Sequence, residues 1–114
     1  MTATGGCYCG AIRYETGGTA LFKAQCHCRA CSYITGGGPN FFMLMPEDGF
    51  AYTKGAPARF KHTEVADPVT REFCGVCGTH LTTRNPRRAG YVIVKVGGLD
   101  DPAGVYGGPQ AAIF

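Results

Sequence analysis

No apolar run approaches the length of about 18 residues that a membrane-spanning helix needs, so no such span is expected. The first residues, Met1-Thr2-Ala3-Thr4-Gly5-Gly6, carry neither a basic start nor an apolar stretch, and do not read as a secretory signal. There is no Lys/Arg-rich run; charges are scattered, and the pair Arg87-Arg88 fits a turn, which argues against nucleic acid as a partner. No tandem repeat and no linker divides the chain, so residues 1–114 read as a single domain. Long helices are also wanting, because 18 glycines and seven prolines impose frequent turns.

What the chain does have is cysteine. Seven thiols lie at Cys7, Cys9, Cys26, Cys28, Cys31, Cys74 and Cys77. Without an export signal the expected compartment is the reducing cytoplasm, where thiols persist and bind metals more often than they pair. The odd count also opposes a complete disulfide framework. Seven divides into four and three. Four thiolates close a structural zinc, whereas three leave a position open for a water or a substrate. If two Zn²⁺ and seven thiolates are counted, the formal charge of +3 falls to zero, so the basic balance says little about partners.

Short alternating segments between the cysteines predict strands. They are Ala11–Glu15, Thr19–Gln25, Phe50–Lys54, Ala58–Thr63, Val69–Phe73 and Leu81–Arg84, with continuous apolar strands at Phe41–Met45 and Tyr91–Val96. One further short strand fits the end of the chain. A helical turn fits Arg29–Thr35, broken by Gly36-Gly37-Gly38-Pro39. That glycine loop lacks the Walker pattern and reads as a turn, with a lid role open. The first ordered stretch is placed at Gly5–Gly10. About nine short strands with one or two helical turns predict an all-β domain. Pairs as distant as Cys7/Cys9 and Cys74/Cys77 would then staple remote strands.

Phe73-Cys74-Gly75-Val76-Cys77-Gly78 has the form of a metal knuckle, with glycine after each cysteine. The rival reading, a redox C-x-x-C, needs a strand-to-helix setting, and Gly78–Thr82 reads as strand. The run C-x-C-x-x-C from Cys26 to Cys31 is not the spacing of bacterial iron–sulfur proteins. Copper(I) would also accept its thiolates. Three thiolates on Zn²⁺ leave a vacancy in which an entering thiol is deprotonated and becomes a nucleophile towards a small aldehyde. The bland alternative is that His27, His62 or His80 closes the cluster as Cys₃His. Spacing alone leaves open which pair joins which.

Gly6-Cys7-Tyr8-Cys9-Gly10, Cys26-His27-Cys28-Arg29-Ala30-Cys31, Arg71-Glu72-Phe73-Cys74-Gly75-Val76-Cys77-Gly78-Thr79 and Leu99-Asp100-Asp101-Pro102, in that order, resemble the glutathione-dependent formaldehyde-activating enzyme family (the GFA/CENP-V domain). The resemblance spans residues 5–102. It implies an Mss4-like, or β-tent, fold and two Zn²⁺ per chain. It implies a structural zinc on Cys7, Cys9, Cys74 and Cys77, and a catalytic zinc on Cys26, Cys28 and Cys31. The implied activity is condensation of formaldehyde with glutathione to S-hydroxymethylglutathione, a carbon–sulfur lyase reaction in reverse. Family members usually continue, often with a tryptophan, beyond the stretch that matches Gln110–Phe114. Part of a substrate wall is therefore expected to be missing here or supplied by a partner.

Within that reading Arg29, Lys61 and Arg71 are candidates to steer the carboxylates of a glutathione-like thiol, and His62 and His80 are candidate bases. The alternative is a non-catalytic, zinc-stabilised interaction module, a use the same fold also serves. Two bound zinc ions and a response of the second to glutathione would separate the two.

Overall fold

The computed structural model describes residues 2–114. The chain runs β1 (Thr2–Gly6), β2 (Arg13–Gly17), β3 (Phe22–Cys26), α1 (Arg29–Thr35), β4 (Asn40–Pro46), β5 (Phe50–Lys54), β6 (Ala58–Lys61), β7 (Thr70–Phe73), β8 (His80–Arg84), β9 (Tyr91–Lys95), α2 (Pro102–Val105) and β10 (Ala111–Ile113). Short 3₁₀ turns follow β4, β8 and β9. One sheet has the order β1-β2-β5, the other β10-β3-β4-β9-β8-β7-β6. Neighbours are antiparallel except β10, which runs parallel to β3. The expected all-β architecture is what forms, with helix limited to two short segments among the described residues. None of the described helices is long and apolar enough to cross a membrane.

The large sheet is buried on two faces, and the period-2 alternation of its strands sorts the residues between them. Met43, Met45, Leu81, Val92 and Val94 are fully buried in one core, with Ala3 and Tyr14 from the small sheet and Ile12 just before β2. Burying each large apolar side chain contributes about 1.5–3 kcal/mol. A second cluster gathers Ala24, Cys26, Cys31 and Phe42, with Phe22 and Ile93 against it. These residues lie on the opposite face. Register confirms it: Phe22, Leu44, Ile93, Thr83 and Arg71 form one row across five strands. Ala24, Phe42 and Lys95 form the next row, and Cys26 pairs with Asn40 in the one after.

The sheets are tied at one edge by Asp100. Arg13 donates to both of its carboxylate oxygens, and the Thr4 hydroxyl donates at 2.6 Å. Those donors, Arg13 first and Thr4 next, hold the Asp100 carboxyl down to about 2.

Two elements differ from the sequence reading. Ordered strand begins at Thr2, ahead of Gly5. Thr-Ala-Thr-Gly-Gly has little intrinsic strand preference, and its pairing with β2 along the whole strand supplies what propensity does not. The short helix at Pro102–Val105 was also missed. It starts on proline and is capped by Asp101, whose Oδ1 accepts from the Gly104 amide at 3.1 Å.

Candidate metal centres and the cavity beside one of them

The first centre is built from two matching knuckles. In one, the Cys74 amide donates to Thr79 O at 2.9 Å and the Gly78 amide to Cys74 O at 2.8 Å. The amides of Val76 and Cys77 then both face Cys74 Sγ at 3.4 Å. In the other, the Cys7 amide donates to Ile12 O at 3.1 Å, the Gly10 amide to Cys7 O at 3.2 Å, and the Ile12 amide faces Cys7 Sγ at 3.2 Å. Each knuckle closes on a left-handed residue, Gly10 (φ 82°) and Gly78 (φ 80°), where a side chain would be strained. The Tyr8 amide donates to Thr79 Oγ1 at 3.1 Å and locks one knuckle against the other.

The sulfurs of Cys7, Cys9, Cys74 and Cys77 lie within 4.8 Å of one another. Cys7–Cys9 is 3.6 Å and Cys9–Cys74 is 3.8 Å. A tetrahedron of Zn–S bonds at about 2.3 Å has edges of about 3.8 Å, so the donor set suits that ion. Protonation points the same way. The Thr79 hydroxyl and amide hold the Cys77 thiol down to about 5. Cys9 is pushed up to about 11; the Ala11 amide opposes the rise, while burial and the neighbouring thiols drive it.

The second cluster is Cys26, Cys28 and Cys31, also mutually within 4.8 Å. Cys26 ends β3. Cys28 caps α1, its Sγ accepting from the Cys31 amide at 3.3 Å. Cys31 lies in the first turn, and Asn40 Nδ2 donates to its sulfur at 3.6 Å. Burial, then Cys28 and Cys26, push the Cys31 thiol up to about 12. Burial also opposes ionisation of Cys28, yet the Cys31 amide and the adjacent thiols hold it below the ordinary thiol value. Either cluster can hold a metal ion.

Among the described residues neither cluster includes a histidine. His27 is exposed, with Nε2 3.0 Å from Gln25 Nε2. His62 is exposed beside Phe60. His80 stacks on Phe73, and its Nδ1 is buried without a partner. Burial, with Lys95 and Arg71 nearby, holds His80 below the ordinary histidine value.

The three-thiol cluster opens onto a cavity of about 940 Å³. Of the three steering candidates only Arg71 lines it. Arg29 lies on the exposed side of α1 over the Tyr33 ring, and Lys61 faces a separate hollow. Sequence reasoning missed Lys95, which also lines the cavity and is only 6% exposed. The signal was there: a lone charge in the β-branched run Tyr-Val-Ile-Val-Lys-Val, alternating onto the face of Ile93.

A search of curated proteins finds no match. The crystal structure of a Rhodobacter sphaeroides protein superposes with a TM-score of 0.71 at 16% sequence identity, covering 97% of this chain and 99% of that one. At that identity the likeness is one of fold. The sequence profile described as glutathione-dependent formaldehyde-activating enzyme matches residues 2–114. Since that match takes in both knuckles, the three-thiol run and the strands that join them, the chain belongs to the glutathione-dependent formaldehyde-activating enzyme family.

Proposed function

We propose that the chain, acting as one domain, is a zinc-dependent enzyme of the carbon–sulfur lyase type that makes or breaks thiol–aldehyde adducts. Glutathione and formaldehyde, named by the family, are the proposed substrates. In the condensing direction a thiol and an aldehyde give an S-hydroxymethyl adduct. The sulfur–carbon bond forms, the carbonyl π pair moves to oxygen, and the proton lost by the thiol ends on that oxygen. Nothing is oxidised or reduced.

Cys7, Cys9, Cys74 and Cys77 would hold a structural zinc, and Cys26, Cys28 and Cys31 a catalytic one. A zinc ion on three thiolates supplies a Lewis acid with a free position, which lowers the pKa of an entering thiol. The residues of the chain do the rest. Cys28, at the start of α1, and Cys31, held by Asn40, fix the donor atoms beside the cavity. Phe42 and Ile93 form an apolar floor that keeps the reacting sulfur out of bulk water. A reducing cytoplasmic compartment would keep the seven thiols available.

The observation that carries this reading is the unequal surroundings of the two clusters. Four sulfurs converge where Cys9 and Cys77 reach the surface, and three converge at a cavity. The test is metal analysis with a thiol titration. Two zinc ions per chain are expected, with glutathione altering the spectrum of cobalt at the three-thiol position alone, and formaldehyde consumption requiring that position. One zinc per chain, or a second ion indifferent to glutathione, would instead favour the interaction module.

A further inference from the structure

Lys95 is the most deeply buried cation that lines the cavity. Its side chain makes no hydrogen bond or ion pair among the described residues. Arg71, on the same face of the sheet, likewise has no carboxylate partner among them. Thr83 pairs with Arg71 on one side and with Ile93 on the other, which puts it diagonal to Lys95, two residues further along β9. Its hydroxyl is buried and has no partner. No aspartate or glutamate among the described residues lines this cavity. Lys95, Arg71 and the Thr83 hydroxyl thus face one space with no carboxylate supplied by the described residues. A lysine only 6% exposed, whose side chain lines a cavity without an acidic neighbour, is stabilised by an anion that enters there.

The neighbouring thiolates do not fill that role completely. Three thiolates around a divalent cation carry one net negative charge, against the positive charges of Lys95, Arg71 and Arg88, which line the cavity without a carboxylate partner among the described residues, while Arg87 at its rim is paired with Asp67. The cavity thus keeps a positive balance that an anionic ligand would offset. The donors match a planar oxyanion: a guanidinium fork, an ammonium and a hydroxyl. Lys95 and Cys26 lie in adjacent rows of the same face, two strands apart, with Phe42 and Ala24 completing the row of Lys95. That separation, about 10 Å between backbones, falls within the combined reach of a lysine and a short ligand.

We infer that Lys95, Arg71 and Thr83 form a carboxylate subsite in the cavity floor, so that the preferred substrate is a thiol bearing a carboxylate near its sulfur. This deepens the thiol–aldehyde reading and rests on it for the identity of the sulfur partner. The carboxylate subsite itself can be measured without any sulfur.

Butyrate and its neutral analogue butyramide, titrated into zinc-loaded protein and followed by NMR chemical shifts, are the probes. Butyrate is expected to bind saturably and butyramide about tenfold more weakly or not at all. Lys95→Met and Arg71→Gln should each weaken butyrate about tenfold, Thr83→Val about threefold, and Lys95→Arg should retain most of the affinity. Equal binding of the two probes, or butyrate binding unchanged in Lys95→Met, overturns the inference. Should Lys95→Met not fold, half-buried Arg71→Gln carries the same comparison. A second pair, 3-mercaptopropionate against 2-mercaptoethanol, is read in the spectrum of cobalt-loaded protein. Butyrate binding with neither thiol perturbing cobalt leaves the subsite standing and removes the open metal position. Both thiols perturbing cobalt equally, with no butyrate binding, does the reverse.

Discussion

The two cysteine clusters use the same side chain in opposite settings. At the knuckles the sulfurs accept backbone amides, Cys9 and Cys77 reach the surface, and the ligands come from segments about 65 residues apart in sequence. At the three-thiol cluster the ligands come from six consecutive residues, and the space beyond them is an apolar cavity faced by lysine and arginine. A cluster that joins distant segments contributes to the fold. A cluster that is local in sequence contributes little to chain closure and is free to serve a ligand.

The largest effect expected is from Cys74→Ser. Cys74 is 1% exposed and its sulfur accepts two amides, so loss of that ligand undoes the closure of the whole domain. Metal closure of this kind is worth about 10 kcal/mol or more, so circular dichroism should show no cooperative melting transition at all. Cys28→Ser should abolish adduct formation and drop metal content from two ions to one, while melting stays cooperative and stability falls by about 1–2 kcal/mol. Equal damage from the two substitutions would erase the distinction between the clusters.

Chelation gives a graded version of the same test. With three protein ligands against four, the cavity ion should leave first as chelator is added, taking activity with it. The knuckle ion should leave in a second phase, coincident with loss of the β-sheet signal. A single phase would mean that the clusters are energetically equivalent.

The smallest effect is one of sign. Burial first, and Arg71 next, hold Lys95 down to about 8 from an ordinary 10.5, against the pull of the nearby thiolates. A folded-state value below the unfolded one means that the protonated lysine opposes folding. The penalty is complete below pH 8 and fades as pH rises towards 10.5. Lys95→Met should therefore stabilise the protein at pH 7 by on the order of 1–3 kcal/mol, and by less at pH 10, in urea titrations. A destabilised variant would make Lys95 a structural residue.

Much of this was legible in the residues. Strand segments were visible because alternation and β-branching persist from Phe50 to Lys54 and from Tyr91 to Lys95, and the helical turn at Arg29–Thr35 was bounded by cysteine and glycine. The cysteine groups were legible because ligand spacing is a local property. β1 was not, since its strand character comes from β2 and not from Thr-Ala-Thr-Gly-Gly. The cavity was not legible either. It depends on which strands neighbour which, and the placing of β9 between β4 and β8 is what brings Lys95 and Arg71 to one face. Which of Arg29, Lys61 and Arg71 lines the cavity depends on that same long-range information.

The alternation of β9 has one more consequence. Val94 points into the space between the sheets and Lys95 into the cavity, so a slide of this strand by a single residue would exchange them. The ammonium would then be driven among Met43, Met45 and Leu81, on the face whose buried carboxylate, Glu72, is already engaged by Arg59 and Arg84. The same lysine that faces the cavity thereby penalises the misaligned strand.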